Sequence, residues 1–600
     1  MKNNLLTSRL HYKDAEPIDT ILRIKNILKE LEIDIEETWF NNDDIDIYSL
    51  RIVIKGTEIG TNGKGVTKEL ALASAYGEFL ERLQNDYLLK NLINNHESNF
   101  IIANDEKLLS AEELIKDNNI FINKYFEERN MQNDNMEVKV SAFEKVNVSS
   151  VDDGKYCSLP FYDVFNDRIC YIPDNTQNFL TGSNGMAAGN TPEEALVEGI
   201  SEIFERYVQK QLFYLQSGLP DIPEDYLSHY EKIYKMFKKL NDNQDFIVYL
   251  KDCSFGGQFP VVALIIIHKD TGNYGVKLGC HPVYQVALER TFTEAAQGME
   301  ILNYSNRSKI DFTNKDVTHW SNKLNTFKDG YGQYPYQILS NNSDFSFCAM
   351  PDMSDKNNKE LLEYLLDLIK KLKFDILIRD VSYLGFPSYK ILIPGMSEIF
   401  PNEDSIFKGL NSRVHLTNLL LNPEYIDPLN SKIINSTLCY FSKCSFYNTL
   451  SSYFDKYNCE HVPYNNIGCG ILYLSAMCHV INKKYKQAAA IIEQIENGIK
   501  MLSNSKDEKI YMNALKNYLY CLDNCDDHLY AMEYIERFYN DKISNKINNI
   551  FKDKSKIFVN QYDGIWKEIH KNINPHTIRN IIIKKEQNTI SQQNLSALFY

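Results

Sequence analysis

Residues 183–208 read SNGMAAGNTPEEALVEGISEIFERYV, which predicts a glycine-containing loop that turns into a long helix. Thr191 is a typical N-cap residue, Pro192 suits the first helical position, and Glu194 completes a predicted capping box. The apolar residues between positions 196 and 207 fall mainly on one side, which can bury against a core.

The opposite side of the predicted helix is acidic. Its carboxylates have the spacing i, i+4, i+8 and i+11, which places them on one face: Glu194, Glu198, Glu202 and Glu205. On an isolated helix, like charges four residues apart destabilise by about 0.2–0.5 kcal/mol per pair. Because Arg206 supplies one positive charge within the helix, we expect a cationic partner from elsewhere. Glu198 receives no individual role from the sequence.

A second segment repeats the pattern of the first. GEFLER (77–82) and SEIFER (201–206) share the arrangement small-Glu-x-x-Glu-Arg, and each follows an Asn-Gly loop, at Asn62 and Asn184. The repeated pattern indicates that the two predicted helices have related roles.

A third predicted helix adds further charges. LERTFTEAAQG (288–298) carries Arg290 and Glu294 at i, i+4, while Glu78 and Glu81 share a face of the GEFLER helix. Mg²⁺ prefers oxygen ligands and commonly takes one or two carboxylates together with waters and phosphate oxygens. Acidic faces on several helices therefore predict a metal–triphosphate site.

Arginines of the same helices suit the phosphates. Arg206 and Arg290 can bind phosphate oxygens or stabilise transition-state charge, and the glycine-containing loops can bring backbone N–H groups close to a nucleotide. TNGKGVT (61–67) lacks Walker A spacing, which excludes a conventional P-loop. The alternative for any one helix is a solvated acidic face, but three such helices together favour the site.

Three other features carry weaker indications. Cys280 beside His281 permits a nucleophile, but a buried thiol is the commoner role for such a cysteine. Lys64 can contact phosphate, although a lysine in a loop is usually exposed. Residues 394–404, PGMSEIFPNED, are interpreted as a structural turn.

Composition excludes several classes of protein. The 600 residues carry a formal net charge of -15, which argues against a general nucleic-acid binder. The twelve cysteines include no CxxC pair, as expected for reduced thiols in a cytoplasm. We expect no signal peptide, and the longest clear apolar run, residues 259–267, is too short to span a membrane.

Periodicity predicts alternating helices and strands up to about residue 430, which is typical of an α/β or α+β domain. Strands are predicted at 46–59, 135–150, 156–174, 246–268 (two strands), 374–382 and 388–395, with a loop at 61–65. Helices are predicted at 18–32, 67–89, 191–208, 222–240, 283–304 and 359–373. Residues 465–540 are predicted to be nearly all helical and resemble tetratricopeptide-type hairpins, with a plain helical bundle as the alternative.

Four of these motifs closely resemble segments of the YcaO family: residues 61–83, 183–208, 281–298 and 394–404. The likeness extends from about residue 10 to residue 405. It implies an α+β YcaO-type ATP-binding domain over 1–430, with a helix–strand segment at 1–60. It also implies an all-α tetratricopeptide-like domain over 431–600, as in stand-alone bacterial members.

The resemblance implies ATP and Mg²⁺ as ligands and the phosphorylation of a backbone amide oxygen. Stand-alone members support a radical methylthiotransferase in β-methylthiolation of an aspartate in a small-subunit ribosomal protein. Other members form azolines or thioamides on ribosomally made peptides. We therefore expect a protein or peptide substrate, no direct contact with nucleic acid or membrane, a cytoplasmic location, and, from the resemblance alone, a homodimer.

The matching motifs also imply individual roles. The expected Mg²⁺ ligands are Glu78, Glu81, Glu202, Glu205 and Glu294. The expected nucleotide-contacting residues are Lys13, Thr20, Glu81, Asn190, Glu194, Glu205, Arg206 and Arg290. Ala187 stands where stand-alone members have serine, so one hydroxyl contact to ATP is absent or is replaced by backbone.

Three functions follow from the sequence. The first is an ATP- and Mg²⁺-binding accessory factor in ribosomal-protein methylthiolation that retains amide-activating chemistry. The second is a peptide-modifying enzyme, which the absence of proline after Pro575 disfavours, because azoline-forming members usually end in a proline-rich tail. The third is a non-catalytic protein that recruits a partner through its helical domain.

Overall fold

The computed structural model describes residues 12–42, 46–57, 59–88, 104–147, 154–404, 407, 419, 423–442, 469–502, 506–562 and 574–599. The chain forms two compact units, one of Met1–Phe407 together with Asn574–Tyr600 and one of Lys408–Ile573. The first unit therefore includes the last part of the chain, which the sequence grouped with the helical domain over 431–600. Of the predicted elements, positions 58 and 89 and residues 148–150, 465–468 and 503–505 lie outside the described residues.

The strands that the structure describes all belong to the first unit. They are β1 (Ile35–Asn42), β2 (Ile47–Ile54), β3 (Gly60–Gly65), β4 (Lys107–Leu109), β5 (Tyr156–Asp163), β6 (Arg168–Pro173), β7 (Met186–Ala188), β8 (Phe246–Asp252), β9 (Val261–His268), β10 (Asn273–Cys280), β11 (Ser308–Lys309), β12 (Leu377–Asp380) and β13 (Ser388–Leu392).

Of the described helices of the first unit up to residue 407, α1 precedes β1 in sequence and the others lie between strands. They are α1 (Pro17–Glu30), α2 (Lys68–Gln84), α3 (Ala111–Lys116), α4 (Ile120–Glu127), α5 (Met136–Val146), α6 (Asp174–Thr181), α7 (Pro192–Leu215), α8 (Glu224–Leu227), α9 (Glu231–Asn241), α10 (Tyr284–Ala295), α11 (Trp320–Asp329) and α12 (Asn358–Lys371).

The described strands form antiparallel sheets. One has the order β1-β2-β3, a second has the order β11-β10-β9-β8, and the third has the order β4-β5-β12-β13-β7, with β6 also paired to β5. The strands on either side of the Gly256-Gly257 turn, β8 and β9, pair in register from Phe246↔His268 to Asp252↔Val262. This arrangement confirms the predicted α+β class.

Helix α7 packs against two of the sheets of the first unit. It contacts β7, β13 and β10 as well as α12. Leu196, Ile200, Ile203 and Phe204 are fully buried in one apolar cluster of the first unit. Burial of each such side chain stabilises the fold by about 1.5–3 kcal/mol. The apolar face thus fixes the orientation of the helix, and the acidic face is left for the site.

Two predicted local structures are wrong. Residues 136–146 form helix α5, not a strand, because the Asn135 side chain caps it by accepting from Val138 N. The apolar and polar residues of this short segment fit both the two-residue period of a strand and the 3.6-residue period of a helix. The TNGKG segment is strand β3, not a loop, since it pairs with β2 and lies directly on α2. A Cβ atom at Gly63 would lie 2.2 Å from the Ala71 carbonyl oxygen, so glycine permits this close approach.

The second unit is helical. Its described helices are α13 (Pro428–Ser442), α14 (Cys469–Ile481), α15 (Tyr485–Leu502), α16 (Lys506–Cys525), α17 (His528–Phe538), α18 (Asp541–Phe551) and α19 (Ile557–Tyr562). Consecutive helices from α14 to α18 contact each other. Ala488 and Ala489 are buried at these contacts, whereas Ala490 is exposed. The predicted helical region is confirmed.

Residues 574–599, here called the returning segment, pack against the first unit. They contain α20 (Pro575–Gln587) and α21 (Ser596–Phe599). Ile581 and Leu595 are buried, and the Phe599 ring stacks on Tyr162 with centroids 6.1 Å apart. Across the described ranges, no helix combines the length and apolar character needed to cross a bilayer.

Candidate functional site

The N-terminus of α7 is the first part of the site. Thr191 is the N-cap, because its hydroxyl accepts from Glu194 N at 3.2 Å. The predicted capping box is only half formed. The Glu194 carboxylate turns away from the cap and accepts instead from Asp14 N at 3.0 Å and from the Asn190 side-chain amide at 3.1 Å. The Glu194 side chain therefore holds the N-terminal part of the chain on the start of α7.

The structure brings together the four nucleotide-contacting residues expected here. Lys13 Nζ lies 3.4 Å from Glu194 Oε1, and the Thr20 hydroxyl donates to Asn190 Oδ1 at 2.8 Å. Glu194 is 3% exposed and Thr20 is 7% exposed, so this network is largely shielded from water. Lys13 and Thr20 therefore reach the loop at 183–191 from more than 160 residues away in sequence.

One helical turn further along, Glu198 bridges two cations. Its carboxylate lies 2.9 Å from Lys13 Nζ and 2.8 Å from a guanidinium nitrogen of Arg290. Burial alone would raise the pKa of Glu198, but Arg290 and Lys13 outweigh it and hold that pKa well below its usual range. Arg290 also donates to the Cys280 carbonyl oxygen at 3.1 Å. The cations expected opposite the acidic face are thus Lys13 and Arg290.

The next two acids are Glu205 of α7 and Glu294 of α10, which interact with lysines of β3 and β10. Glu294 accepts from Lys64 Nζ at 2.5 Å and from Lys277 Nζ at 3.1 Å. Against the effect of burial, these two lysines lower the pKa of Glu294. Burial raises the pKa of Glu205, and the charge of Glu294 adds to the increase. Arg290 interacts electrostatically with both acids, so this group is continuous with the first.

The GEFLER helix, α2, contributes a third group. Arg82 lies 3.5 Å from Glu78 and 3.4 Å from Glu81. Burial raises the pKa of Glu81 to about 8, and the charges of Glu202 and Glu78 add to this effect while Arg82 opposes it. Burial also lowers the pKa of nearby Lys390 to about 7. The two helices with the shared pattern therefore place their acids within electrostatic range of each other.

Arg206 is directed differently from the other predicted site residues. Its guanidinium donates to the Phe327 carbonyl oxygen at 2.5 Å, at the C-terminal part of α11. It acts on Glu205 only through its charge, which favours the ionised carboxylate. In this arrangement Arg206 is not joined to the Lys13–Glu194 network, and its predicted contact with nucleotide stays a prediction.

The weaker candidates have structural roles. Cys280 is fully buried, which raises the pKa of its thiol well above the usual value and disfavours a nucleophile. His281 is 1% exposed and accepts from Val283 N at 3.0 Å. Residues 394–404 hold the second Asn-Gly loop, because Asn184 donates to the Ser397 carbonyl oxygen at 2.8 Å. Ala187 lies in β7, opposite Tyr389 of β13.

Sequence reasoning gave no role to Glu198 or Lys277 and did not anticipate the pairing of Lys64. Lys64 was expected to be exposed, yet it is an ion-pair partner of Glu294. Arg82, which also received no role from the sequence, is the cation that pairs with Glu78 and Glu81 on the GEFLER helix. The shared Glu-Arg ending of GEFLER and SEIFER was the available signal for Arg82, whereas the other three depend on pairing between distant elements.

The carboxylates fit a bound Mg²⁺. Within the described residues, no three His, Cys, Asp or Glu side chains converge as a preformed cage. Mg²⁺ does not require such a cage, since phosphate oxygens and waters supply most of its ligands. Burial is the main cause of the raised pKa of Glu81, and the charges of Glu202 and Glu78 add to it, so ionised Glu81 would be stabilised by further positive charge. A divalent cation beside Glu78, Glu81 and Glu202 would provide that charge.

The sequence that carries these residues matches a known family. Residues 62–397 match the family model described as YcaO cyclodehydratase, ATP- and Mg²⁺-binding. The chain belongs to the YcaO family. The predicted family is confirmed, and ATP and Mg²⁺ are the ligands that the YcaO family binds.

Two relatives are similar over most of their length. One is an uncharacterized protein of Haemophilus influenzae, 31% identical over 417 residues, which are 68% of this chain and 69% of the relative. The other is the ribosomal protein S12 methylthiotransferase accessory factor YcaO of Escherichia coli, 31% identical over 420 residues. That alignment covers 68% of this chain and 70% of the relative.

Solved structures are more distant. A heterocyclase in complex with substrate and cofactor has a TM-score of 0.45 and 16% identity, over 64% of this chain and 52% of that one. The structure of YcaO from Methanopyrus kandleri bound with AMPPCP and Mg²⁺ has a TM-score of 0.38 and 14% identity. It covers 64% of this chain and 92% of that one.

Proposed function

We propose that this chain binds Mg-ATP on the acidic face of α7 and uses it to activate a backbone amide of a protein substrate. It would do so as an accessory factor to a methylthiotransferase that acts on a ribosomal protein. The observation that carries the proposal is the Glu194 network, in which one buried carboxylate joins Lys13, Asp14 and Asn190 at the start of the helix. That network places a lysine and a helix N-terminus beside a row of acids, which suits a metal-bound triphosphate.

The positively and negatively charged residues would bind different parts of Mg-ATP. Lys13 and Arg290 would bind phosphate oxygens, while Glu78, Glu81, Glu202, Glu205 and Glu294 would hold Mg²⁺. When bound, Mg²⁺ neutralises phosphate charge and makes the phosphorus more electrophilic. Thr20 and Asn190 would orient the nucleotide through their hydroxyl and amide groups. Buried donors fixed in this way act without reorganisation as charge develops, which is the main source of rate acceleration in phosphoryl transfer.

The partner is proposed from a relative. The Escherichia coli relative is named as an accessory factor of the S12 methylthiotransferase. We extend that role to this chain and propose that it binds a methylthiotransferase, a ribosomal protein, or both. A pull-down from cells that recovers either protein supports this role. Recovery of a short precursor peptide without them would contradict it and favour a peptide-modifying enzyme.

Calorimetry tests the site itself. We expect Glu202→Gln to remove most of the Mg-ATP affinity while circular dichroism stays unchanged. The matched control is Glu231→Gln, which removes an exposed i, i+4 pair with Lys235 on α9. Surface pairs of that kind contribute about 0–1 kcal/mol, so binding should be unaffected. If Glu202→Gln binds Mg-ATP as the wild type does, the acidic face is only solvated and the proposal fails.

A further inference from the structure

The returning segment reaches the C-terminal end of α2 through a buried lysine. Lys585 is 7% exposed, and its Nζ lies 2.6 Å from Asp86 Oδ2 and 3.2 Å from Glu106 Oε1. Glu106 also lies near Arg379 of β12, at 3.7 Å. By contrast, the preceding residue, Lys584, makes an exposed pair with Glu30. A buried, shared ammonium of this kind is costly to desolvate and is retained only where its partners are well placed.

Asp86 belongs to the turn that ends the metal-binding helix. Its φ is +58°, in the left-handed region that non-glycine residues seldom adopt. In this turn Asn85 N donates to the Glu81 carbonyl oxygen, and Tyr87 N donates to the Arg82 carbonyl oxygen at 2.8 Å. The turn therefore fixes the last backbone groups of α2, including those of the two residues whose side chains form the site. Lys585 stabilises this turn by pairing with Asp86.

A second chain of contacts runs in parallel. Asn588 donates to the Tyr383 carbonyl oxygen at 3.0 Å, and the Tyr383 hydroxyl donates to the Leu83 carbonyl oxygen at 3.2 Å. Gln592 completes the attachment, because its side chain accepts from Asp380 N and donates to Asp380 O. The returning segment thus contacts the turn after α2 directly through Lys585 and is linked to Leu83 of α2 through Tyr383.

We propose that Lys585 is a positioning residue for the metal-binding acids of α2, and that the returning segment keeps Glu78 and Glu81 in place for Mg²⁺. The proposal rests on the proposed Mg-ATP function. It assigns to the end of the chain a role inside the first unit that is separate from the helical unit before it. Outer residues that orient metal ligands typically affect metal affinity by about 10–100-fold.

The test compares adjacent lysines in the full chain. Mg²⁺ is titrated into the protein at a fixed ATP concentration, and calorimetry follows the heat of Mg²⁺-dependent binding. We expect Lys585→Ala to raise the half-saturating Mg²⁺ concentration by about tenfold or more. Lys584→Ala, which removes an exposed pair, should stay within about twofold of the wild type. A Lys585→Ala midpoint no more shifted than that of Lys584→Ala would overturn the proposal.

Two further measurements separate positioning from general stability. Asp86→Asn keeps the shape of the turn and leaves Lys585 paired with Glu106, so it tests the same link even if Lys585→Ala does not fold. We expect Asp86→Asn to shift the Mg²⁺ midpoint, and the double variant to shift it no further than Lys585→Ala alone. An unshifted Asp86→Asn, or additive effects in the double variant, would contradict the proposal. If the wild type itself fails to bind Mg-ATP, it is the proposed function that fails.

Discussion

The Glu198 carboxylate lies 2.9 Å from Lys13 Nζ, although 185 residues separate the two in sequence. Arg290 contacts the other carboxylate oxygen, so one acid compensates both cations. A triphosphate that binds Lys13 and Arg290 must therefore exchange protein ion pairs for its own. If Lys13 and Arg290 bind phosphate as proposed, Glu198 competes with the phosphate for both cations.

Glu198→Gln should consequently have opposite effects on stability and on binding. Loss of two charge-assisted contacts should destabilise the protein by about 1–3 kcal/mol, measured by thermal denaturation. Nucleotide affinity should rise, because the phosphates no longer compete with a carboxylate for Lys13 and Arg290. Calorimetry with Mg-ATP measures that affinity. A weaker affinity would show instead that Glu198 holds the two cations in their binding positions.

Much of the candidate site was predictable because its residues lie on helices. The periodicity of α7 and the shared GEFLER and SEIFER pattern predicted helical positions for Glu78, Glu81, Glu202 and Glu205, and the structure has these residues on α2 and α7. The pairing of Glu198 was not predictable, since its partners come from the N-terminal segment and from α10. The direction of Arg206 was equally hidden, because it depends on where α11 ends.

For the fold, too, local sequence patterns were predictable, whereas contacts between distant segments were not. Strongly periodic helices such as α12 were predicted within a residue or two at each end. The TNGKG segment was misassigned because its glycines serve the contact between β3 and α2, a tertiary requirement that looks like turn chemistry in the sequence. The returning segment carried too weak a pattern to reveal that it packs on the first unit.

Mg²⁺ binding should depend on pH through Glu81. With a pKa of about 8, this carboxyl is mostly protonated at neutral pH, so Mg²⁺ must displace a proton. Apparent Mg²⁺ affinity should rise by up to about tenfold per pH unit from about pH 6 to about pH 8 and then level off. Calorimetry at several pH values measures this, and Glu81→Gln should flatten the profile. A wild-type profile that is already flat would contradict the assignment.

The raised pKa of Glu81 also predicts how the stability of the Mg²⁺-free protein changes with pH. Folding raises the pKa of Glu81 from 4.5 to about 8, so the folded chain binds more protons than the unfolded chain in that window. Stability should therefore fall as pH rises across it. Glu81→Gln should be less sensitive to pH between those values in thermal denaturation. Equal pH sensitivity of the two proteins would argue against a buried Glu81.

The packing of β3 on α2 predicts a contrast between two glycines. A Cβ at Gly63 would lie 2.2 Å from the Ala71 carbonyl oxygen, whereas a Cβ at Gly77 meets no atom within 4 Å. Gly63→Ala should destabilise by about 1–3 kcal/mol or more, since backbone must move. Gly77→Ala, inside α2, should stabilise by roughly 0.5–1 kcal/mol. Thermal denaturation of both variants tests this, and equal effects would contradict the close contact.

His281 should make the protein sensitive to acid. Burial lowers its pKa to about 3, from a usual value of 6.5, so the folded chain keeps the ring neutral while the unfolded chain can protonate it. The contribution of neutral His281 to the free energy of unfolding is therefore complete above about pH 6.5, and it falls by about 1.4 kcal/mol per pH unit as the pH falls toward 3. His281→Gln should lose less stability over this window, measured by denaturation at pH 7, 6 and 5, and the exposed His229→Gln should behave as the wild type does. If His281→Gln and the wild type lose stability in parallel, another group is responsible for the acid sensitivity.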